Sequence, residues 1–533
     1  MNAPDASPRA WIPLLIGGVV LALVAATFVG HVVAALRYPL GSDASLFQYH
    51  AWAMDQGVMP YRDSFEFNTP GVVLWHWLLS QVVGLSDAAF IGATVTASGL
   101  SLVVAALWLR RRVPPPELAL GLAAGLLAFV TITPWDRGQR ELWQGLFFGL
   151  ALLAGGAAVN RPRVAGVLLA TLSGLFAGVA VSFKWPYLLV VWTVWFTWLW
   201  LSAKRRLPGA VGPIGLGLGS FAGFGLATAG WVLWLVGNDA LDAFAGIQAL
   251  VLPLHAGQWS LGLLELLSGR WPLGLLALIV VALVAVTRRT AAATTHVAAT
   301  MTLTLALIGS LLLYLLQRKG WTYHLHGAVP FVAPLTALVW ARLAPPQANS
   351  TRTIAPLAAT ALSLAAATAL YGASLVRYDL GPGLTRAHEV GGHWNHDAMQ
   401  AAAAMIQKSP ATDTVLTNDD ELQLLVLAGR KAATPFIYGF LASESHPSPE
   451  IRRLAIQRVD AMHRHPPGWV AWNTTPYRPE LDALEANPAL ASLIRTSCRE
   501  LLESPAPYRL FRCTGLGSEP SLDGGTVRAA ELE

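Results

Sequence analysis

The chain has 533 residues, of which 54% are hydrophobic and only 13% charged. Soluble domains carry about 25% charged residues, so this composition excludes a protein whose whole surface is solvated by water. The net charge of +5 comes from short cationic clusters between apolar runs, a distribution that sets membrane topology and argues against nucleic acid as a partner. The composition predicts an integral membrane protein.

The apolar runs predict eleven transmembrane helices. The first run, 11–36, is longer than a signal-peptide core and lacks a convincing cleavage site, which predicts a retained span with a cytoplasmic N-terminus. Each later run is near the roughly 20 residues that a helix needs to cross the bilayer. The later runs are centred near residues 100, 125, 150, 173, 195, 222, 280, 306, 333 and 364.

Cationic residues in every second connection give the predicted orientation. By the positive-inside rule, the cation-rich connections are cytoplasmic. These cations are Arg110 to Arg112, Arg161 and Arg163, Lys204 to Arg206, Arg288 and Arg289, and Arg342 with Arg352. The connections predicted to lie outside are 37–86, 133–141, 182–186, 237–270 and 317–326.

The segment 70–85 is a candidate for a twelfth span. Counting it as a span would invert the charge pattern downstream, because Arg110 to Arg112 would then lie outside. Trp75, His76 and Trp77 interrupt its apolar run with groups suited to the headgroup boundary. We therefore predict a juxtamembrane helix at the outer interface.

From residue 377 onward the composition is that of a soluble protein. We predict a membrane domain over 1–376 and an outward α/β domain over 377–533. The predicted strands are 414–417, 434–438, 469–472 and 508–513, and the predicted helices are 396–408, 420–428, 448–463 and 480–486. Cys498 and Cys513 both fall in this domain, where a disulfide and two free buried thiols are equal alternatives.

The first predicted outer loop, 37–86, crowds carboxylates at the mouth of the bundle. A half-desolvated carboxylate has a raised pKa and can accept a proton from an attacking hydroxyl. Asp43 is the first candidate for such a general base, and the alternative is that Ser42 or Asp43 only caps the following helix. The residues expected to support this loop are Tyr61, Arg62, Asp63 and Glu66.

The second predicted outer loop, 133–141, holds four ionisable residues in six positions: Asp136, Arg137, Arg140 and Glu141. Such a density of charge is costly near lipid and indicates a function. The alternative is a self-neutralising interfacial loop in which the arginines pair with their neighbours.

Two further outer segments carry cations where the positive-inside rule makes them scarce. Cations beside aromatic side chains at the headgroup level predict a site for the phosphate of a lipid-linked substrate. The alternative is general anchoring to lipid headgroups. The candidates are Lys184, Arg318, Lys319, Tyr323 and His324.

In combination, these segments resemble the GT-C superfamily of membrane glycosyltransferases. The similarity is greatest to bacterial relatives of the protein O-mannosyltransferases and of the lipid A aminoarabinose transferase, and it covers most of the membrane domain. The residues that carry it are Asp43, Gly57 to Asp63, Thr69 to Gly71, Gly138 to Glu141, and Gln317 to His324.

The resemblance implies a mainly α fold, a polytopic helical membrane bundle of the GT-C type followed by the α/β domain. It also implies transfer of a sugar from a polyprenyl-phosphate carrier to a glycan, lipid or protein acceptor, with inversion at the anomeric carbon. The reaction would take place at the outer face of the bacterial inner membrane.

The resemblance assigns roles to individual residues. Asp43 matches the first-loop acid that such enzymes use as a base. Asp136 or Glu141, beside Arg140, resembles the second-loop acid that positions the acceptor or a metal. The residues that would neutralise the departing phosphate are Lys184, Lys319 and His324. A divalent cation held by Asp43 and Asp136 is a further expectation without a motif behind it, and no cofactor is firmly predicted.

Two other kinds of function stay open. A lipid or solute transporter also has many spans, but here the charges concentrate in the outer connections rather than at mid-bilayer depth. A noncatalytic envelope assembly protein could use the exported domain to bind a partner, although eleven spans exceed what anchoring needs.

Overall fold

The apolar runs fold into a helical bundle. The computed structural model describes residues 11–37, 39–130, 138–159, 161–203, 211–257, 261–268, 270–287, 294–319, 322–343, 396–418, 422–474 and 479–513. Its membrane part contains α1 (Trp11–Ala35), α2 (Ser42–Asp55), α3 (Pro70–Val83), α4 (Asp87–Leu109), α5 (Pro115–Val130), α6 (Arg140–Ala158), α7 (Arg163–Phe183), α8 (Leu188–Ala203), α9 (Pro213–Gly237), α10 (Leu241–Gly257), α11 (Leu263–Ser268), α12 (Arg270–Thr287), α13 (Thr294–Gln317) and α14 (Val329–Leu343).

Within the described part of the chain, seven helical segments are long and apolar enough to cross a membrane. They are Leu15–Ala35, Asp87–Leu109, Arg140–Ala158, Arg163–Phe183, Pro213–Gly237, Val297–Gln317 and His324–Leu343. Shorter apolar helices lie at Pro70–Val83, Pro115–Val130, Leu241–Pro253 and Pro272–Val286. The polytopic bundle is confirmed, but the count of eleven spans is not, and the span predicted near residue 364 lies outside the described residues.

The helix α3 is too short to be a span. Its 14 residues extend about 21 Å, less than the roughly 30 Å hydrocarbon core. It packs on α2, and its first turn abuts the end of α7. A Cβ atom on Gly71 would lie only 2.0 Å from Ser182 Oγ, so the glycine permits this close approach. The length of α3 agrees with the predicted juxtamembrane helix.

The connection 237–270, which is predicted to lie outside, is largely helical, because α10 and α11 occupy most of it. In α10 the buried side chains Phe244, Ile247 and Val251 recur at helical spacing, which makes one face of the helix apolar. This apolar stretch is too short to be a transmembrane span. The helix covers the first predicted loop, where Gln248 Nε2 donates a hydrogen bond of 2.7 Å to Phe67 O.

The helices α7 and α9 pack through small residues. A Cβ atom on Gly174 would lie 1.9 Å from Ser220 O, and one on Gly223 would lie 1.8 Å from Thr171 O. Small faces of this kind let helix backbones approach in a membrane, where van der Waals packing drives association. This packing fixes the end of α7 and therefore the residue that follows it, Lys184.

The C-terminal part contains one sheet with helices around it. The strands β1 (Val415–Thr417), β2 (Trp469–Asn473), β3 (Cys498–Glu500) and β4 (Tyr508–Cys513) follow the order β1-β2-β4-β3. The pair β1-β2 is parallel, and the pairs β2-β4 and β3-β4 are antiparallel. The helices are α15 (His396–Gln407), α16 (Gln423–Ala428), α17 (Pro449–Arg464), α18 (Pro479–Asp482) and α19 (Pro488–Ser497).

Most predicted elements of this part are present, with one exception. The predicted strand 434–438 is irregular, because its backbone binds the first loop: Phe65 N–H donates a hydrogen bond of 2.7 Å to Pro435 O. The helix α19 was not predicted. Cys498 and Cys513 oppose each other on β3 and β4 and form a disulfide, which decides between the two alternatives.

The C-terminal part packs directly on the first predicted loop. Ala432 N–H donates a hydrogen bond of 3.1 Å to Tyr49 OH on α2. Lys431 Nζ donates one of 2.8 Å to Gln56 O at the end of the same helix. Apolar side chains of both regions form one continuous core. The soluble part is therefore docked on the loop that carries Asp43.

Candidate functional site

The first turn of α2 carries Asp43. The helix begins at Ser42 with Gly41 as its N-cap, so the alternative that Ser42 or Asp43 caps this helix is wrong. The positive end of the helix dipole favours a carboxylate in the first turn. The side chain of Asp43 is half-buried and keeps some accessible surface.

The first turn of α6 carries Arg140 and Glu141. The turn before it depends on Gly138, whose φ of +85° lies in the left-handed region. A Cβ atom on Gly138 would lie 2.8 Å from Ala44 Cβ, so this turn presses the start of α6 against the start of α2. The Arg140 guanidinium carbon lies 5.7 Å from the centre of the Phe47 ring. Asp136 lies outside the described residues.

Lys184 and Glu141 form a buried ion pair. Lys184 Nζ lies 2.8 Å from Glu141 Oε1, and the two side chains are 11% and 1% exposed. Burial lowers the pKa of Lys184, and the Glu141 carboxylate partly restores it. One turn further along α6, Gln144 Nε2 donates a hydrogen bond of 3.0 Å to Ala180 O. These contacts hold the end of α7 against the start of α6.

The segment after α13 contributes a further cationic side chain that is buried. Lys319 is 9% exposed, and His324 and His326 are buried on the 3-10 turn Thr322–Ala328. Arg318, by contrast, is exposed and donates to Leu261 O from Nη2 at 3.3 Å. The Tyr323 side chain lies outside the described part of the chain.

The charges of these segments act on one another. Burial raises the pKa of Asp43; the positive charge of Arg140 opposes this shift, Glu141 reinforces it, and Lys184 and Lys319 oppose it. The structure therefore brings together groups from four segments that the sequence predicted separately. We call this set the Asp43 cluster: Asp43, Arg140, Glu141, Lys184, Lys319 and His324. It holds three cations against two carboxylates, an excess that suits an anionic ligand.

A second set of buried polar groups lies beside the Asp43 cluster. We call it the Glu66 network: His50, Glu66, Asn68 and Tyr438. His50 Nε2 contacts Glu66 Oε2, and Asn68 N–H donates to Glu66 Oε1 at 2.5 Å. The Tyr438 hydroxyl lies 3.0 Å and 3.1 Å from the two Glu66 oxygens and accepts from Asn68 Nδ2 at 3.1 Å. Arg140 donates to Asn68 Oδ1 and so joins the network to the cluster.

The four residues predicted to support the first loop separate into two groups. Tyr61 and Glu66 are buried, and Tyr61 OH donates a hydrogen bond of 2.8 Å to Asn68 O. Arg62 and Asp63 form a partly exposed pair at 2.7 Å, and Asp63 also accepts from Met59 N–H at 2.8 Å. The Arg62–Asp63 pair shapes the loop from outside the Asp43 cluster.

Sequence reasoning missed His50, Asn68 and Tyr438. A signal existed for His50, because Asp43, Phe47 and His50 are spaced i, i+4 and i+7 and share one face of α2. Tyr438 is 370 positions from Asn68, and nothing in the local sequence predicts that contact.

The described residues offer no group of three or more histidine, cysteine, aspartate or glutamate side chains placed to hold a metal ion. Since Asp136 lies outside them, the alternative of a divalent cation held by Asp43 and Asp136 stays open.

The bundle, the helical first loop and the C-terminal sheet together form the mainly α membrane fold that the resemblance predicted. Two solved structures share it. ArnT from Cupriavidus metallidurans bound to undecaprenyl phosphate has a TM-score of 0.58 at 14% identity, covering 94% of this chain and 99% of that chain. The archaeal oligosaccharyltransferase AglB from Archaeoglobus fulgidus, in complex with an inhibitory peptide and a dolichol-phosphate, has a TM-score of 0.50 at 11% identity, covering 94% and 75%.

At such identities the similarity establishes the fold. No model of a known protein family and no curated protein sequence matches the chain. The apolar helices and the shared fold identify an integral membrane protein.

Proposed function

We propose that the protein is an inverting glycosyltransferase that moves a sugar from a polyprenyl-phosphate carrier to an acceptor at the outer face of the membrane. The observation that carries this proposal is the Asp43 cluster, a carboxylate with a raised pKa beside three cations. Support also comes from the two similar structures, which hold undecaprenyl phosphate and dolichol-phosphate.

The proposed step follows from the chemistry of the cluster. Asp43 accepts the proton of an acceptor hydroxyl while the acceptor oxygen bonds to the anomeric carbon from the face opposite the phosphate. The bond between that carbon and the phosphate oxygen breaks, and its electron pair leaves with the phosphate. Lys184, Lys319 and Arg140 stabilise the negative charge that develops on the leaving group.

The remaining cluster residues would position these groups. Glu141 Oε1 is occupied by Lys184, so we assign Glu141 to holding that cation in place. His324 is assigned to the carrier phosphate together with the lysines. Arg318 is exposed and falls outside this set, and for Tyr323 and Asp136 the predicted roles stand as proposals.

The disulfide supports an outward position of the C-terminal domain. Disulfides form and persist in oxidising compartments such as the bacterial periplasm. The bond between Cys498 and Cys513 thus supports export of the C-terminal domain, which we place at 377–533. For the membrane domain at 1–376, the positive-inside rule supports a cytoplasmic N-terminus.

The decisive experiment replaces Asp43 with asparagine, which keeps the size of the side chain and removes the base. In vesicles supplied with undecaprenyl-phosphate-linked hexoses, pentoses and aminosugars and with envelope extract as acceptor, we expect Asp43→Asn to lower transfer at least about 100-fold. The measurement is the release of undecaprenyl phosphate with formation of the glycosylated product.

Asp55→Asn is the matched control, because Asp55 ends the same helix and accepts from Trp77 Nε1 on the outside of the protein. We expect this variant to transfer at the wild-type rate. Undiminished transfer by Asp43→Asn would remove Asp43 from the mechanism. Solute flux through sealed vesicles without sugar transfer would identify a transporter instead.

A further inference from the structure

We propose that Tyr438 of the C-terminal domain is a positioning residue of the transfer reaction and acts through Asn68 on Arg140. This role rests on the glycosyltransferase function proposed above. It means that Arg140 is held in its place within the Asp43 cluster only when the C-terminal domain is docked on the first loop.

Tyr438 orients the side-chain amide of Asn68. A tyrosine hydroxyl can donate one hydrogen bond and accept others. Here the hydroxyl of Tyr438 contacts the Glu66 carboxylate, to which it donates, and it accepts from Asn68 Nδ2 at 3.1 Å. Because the amide nitrogen is bound to Tyr438, the amide oxygen points the other way. Tyr438 therefore sets which end of the Asn68 amide is presented to Arg140.

Asn68 in turn binds Arg140, whose guanidinium donates to Asn68 Oδ1. On its other sides Arg140 contacts the Phe47 ring, and its Nε lies 3.7 Å from Glu141 Oε1. Its side chain is only 12% exposed, so few other placements are open to it. Without the amide oxygen, Arg140 loses a hydrogen bond to the first loop.

Arg140 acts on the proposed reacting groups through its charge. Arg140 is the strongest of the charges acting on Asp43, ahead of Glu141, Lys184 and Lys319, and it lowers the pKa of that carboxyl. A displaced Arg140 would leave Asp43 with a higher pKa and the leaving phosphate with one cation fewer nearby. The path from Tyr438 to the reacting groups thus runs through two side chains.

The hydroxyl of Tyr438 can be removed without disturbing its ring, which packs on Phe67 with the ring centres 4.6 Å apart. For Tyr438→Phe we expect kcat for sugar transfer to fall about 10-fold, because the Asn68 amide loses an acceptor inside the protein. We also expect the acidic limb of the pH–rate profile to move to higher pH. A purely structural role of Tyr438 would not move that limb.

Tyr49→Phe is the matched control. The hydroxyl of Tyr49 also joins α2 to the C-terminal part, since it accepts from Ala432 N–H at 3.1 Å, but it lies off the path to Arg140. We expect this variant to keep the wild-type kcat and pH profile. Loss of activity in both variants to the same degree would show that docking alone matters, which would overturn the positioning role.

Asn68→Ala keeps the proposal testable if Tyr438→Phe folds poorly. It removes the next link of the path, so its kcat should fall at least as far, and the double variant should be no slower than Asn68→Ala alone. The role would be overturned if the falls in kcat of the two single variants multiplied in the double variant. It would also be overturned if Tyr438→Phe kept the wild-type kcat and pH profile. Absence of transfer by the wild type would overturn the proposed function and this role with it, an outcome distinct from the others.

Discussion

Two carboxylates of the same predicted loop have pKa values that are shifted in opposite directions. At Asp43 burial raises the pKa, and the surrounding charges act in both directions without a close partner dominating. At Glu66 burial also acts to raise the pKa, but His50 and the hydrogen bonds from Asn68 and Tyr438 outweigh it and hold the pKa below its usual value.

The comparison shows that the hydrogen-bond and charge partners of two acids decide which role each can take in one protein. A carboxylate with a raised pKa can take up a proton, and one held ionised by several hydrogen bonds serves to organise its neighbours. In the proposed mechanism Asp43 therefore acts as the base, and Glu66 holds the first loop and the C-terminal domain together.

The largest expected effect on stability is that of Glu66→Gln. The change replaces the buried carboxylate that contacts His50 and accepts hydrogen bonds from Asn68 N–H and the Tyr438 hydroxyl, and the loss of hydrogen bonds to a buried charged group costs roughly 1.5–3 kcal/mol. Thermal unfolding in detergent would report the loss as a lower melting temperature. Glu500→Gln is the control, because its pair with Arg509 is 41% exposed on both sides and contributes below about 1 kcal/mol. Equal melting temperatures for the two variants would refute the structural role of Glu66.

A smaller effect is expected for Lys319→Gln, and it should appear in binding rather than in stability. A buried cation that bonds a phosphate contributes roughly 1.5–3 kcal/mol, so the affinity for undecaprenyl phosphate should fall roughly 10- to 100-fold. Lys431→Gln, at an exposed lysine bonded to Gln56 O, should bind like the wild type. The comparison of the two variants by titration with the lipid in micelles decides whether Lys319 belongs to the phosphate site.

The sequence predicted the members of the Asp43 cluster because topology restricts where charges can lie. Once each connection had been assigned a side, Asp43, Arg140, Glu141, Lys184 and Lys319 fell on one face of the bundle. What it could not predict was which charges turn inward. Arg62 and Asp63 differ little in sequence context from Asp43 and Glu66, yet they remain at the surface, where Arg62 donates to Asn238 O.

The contact of the C-terminal domain with the first loop could not be predicted from the sequence for a related reason. The segment 434–438 has the β-rich composition of a strand, but its hydrogen bonds go to the first loop rather than to a neighbouring strand. Strand propensity reports how well side chains suit a pleated surface and carries no information about such a distant partner. The apolar face of α10 was missed because its length falls short of a span.

The smallest expected effect is a difference in how the two acids link stability to pH. The folded protein holds the pKa of Glu66 below its usual 4.5, so the stability that Glu66 contributes is present above about pH 4.5 and is lost as the pH falls through the lower folded value. For Asp43 the folded pKa lies above the usual 3.8, so its ionised form disfavours folding and protonation relieves that cost.

The signs for the two variants are therefore opposite at neutral pH. Asp43→Asn should melt at the same temperature as the wild type or slightly above it, whereas Glu66→Gln should melt below it. As the pH is lowered toward 4, the Glu66→Gln deficit should shrink, because the wild type loses the same contribution. Melting curves between about pH 4 and pH 7 measure both trends. A lower melting temperature for Asp43→Asn at neutral pH would mean that Asp43, like Glu66, serves the structure, because an acid kept for proton transfer should not be needed for folding.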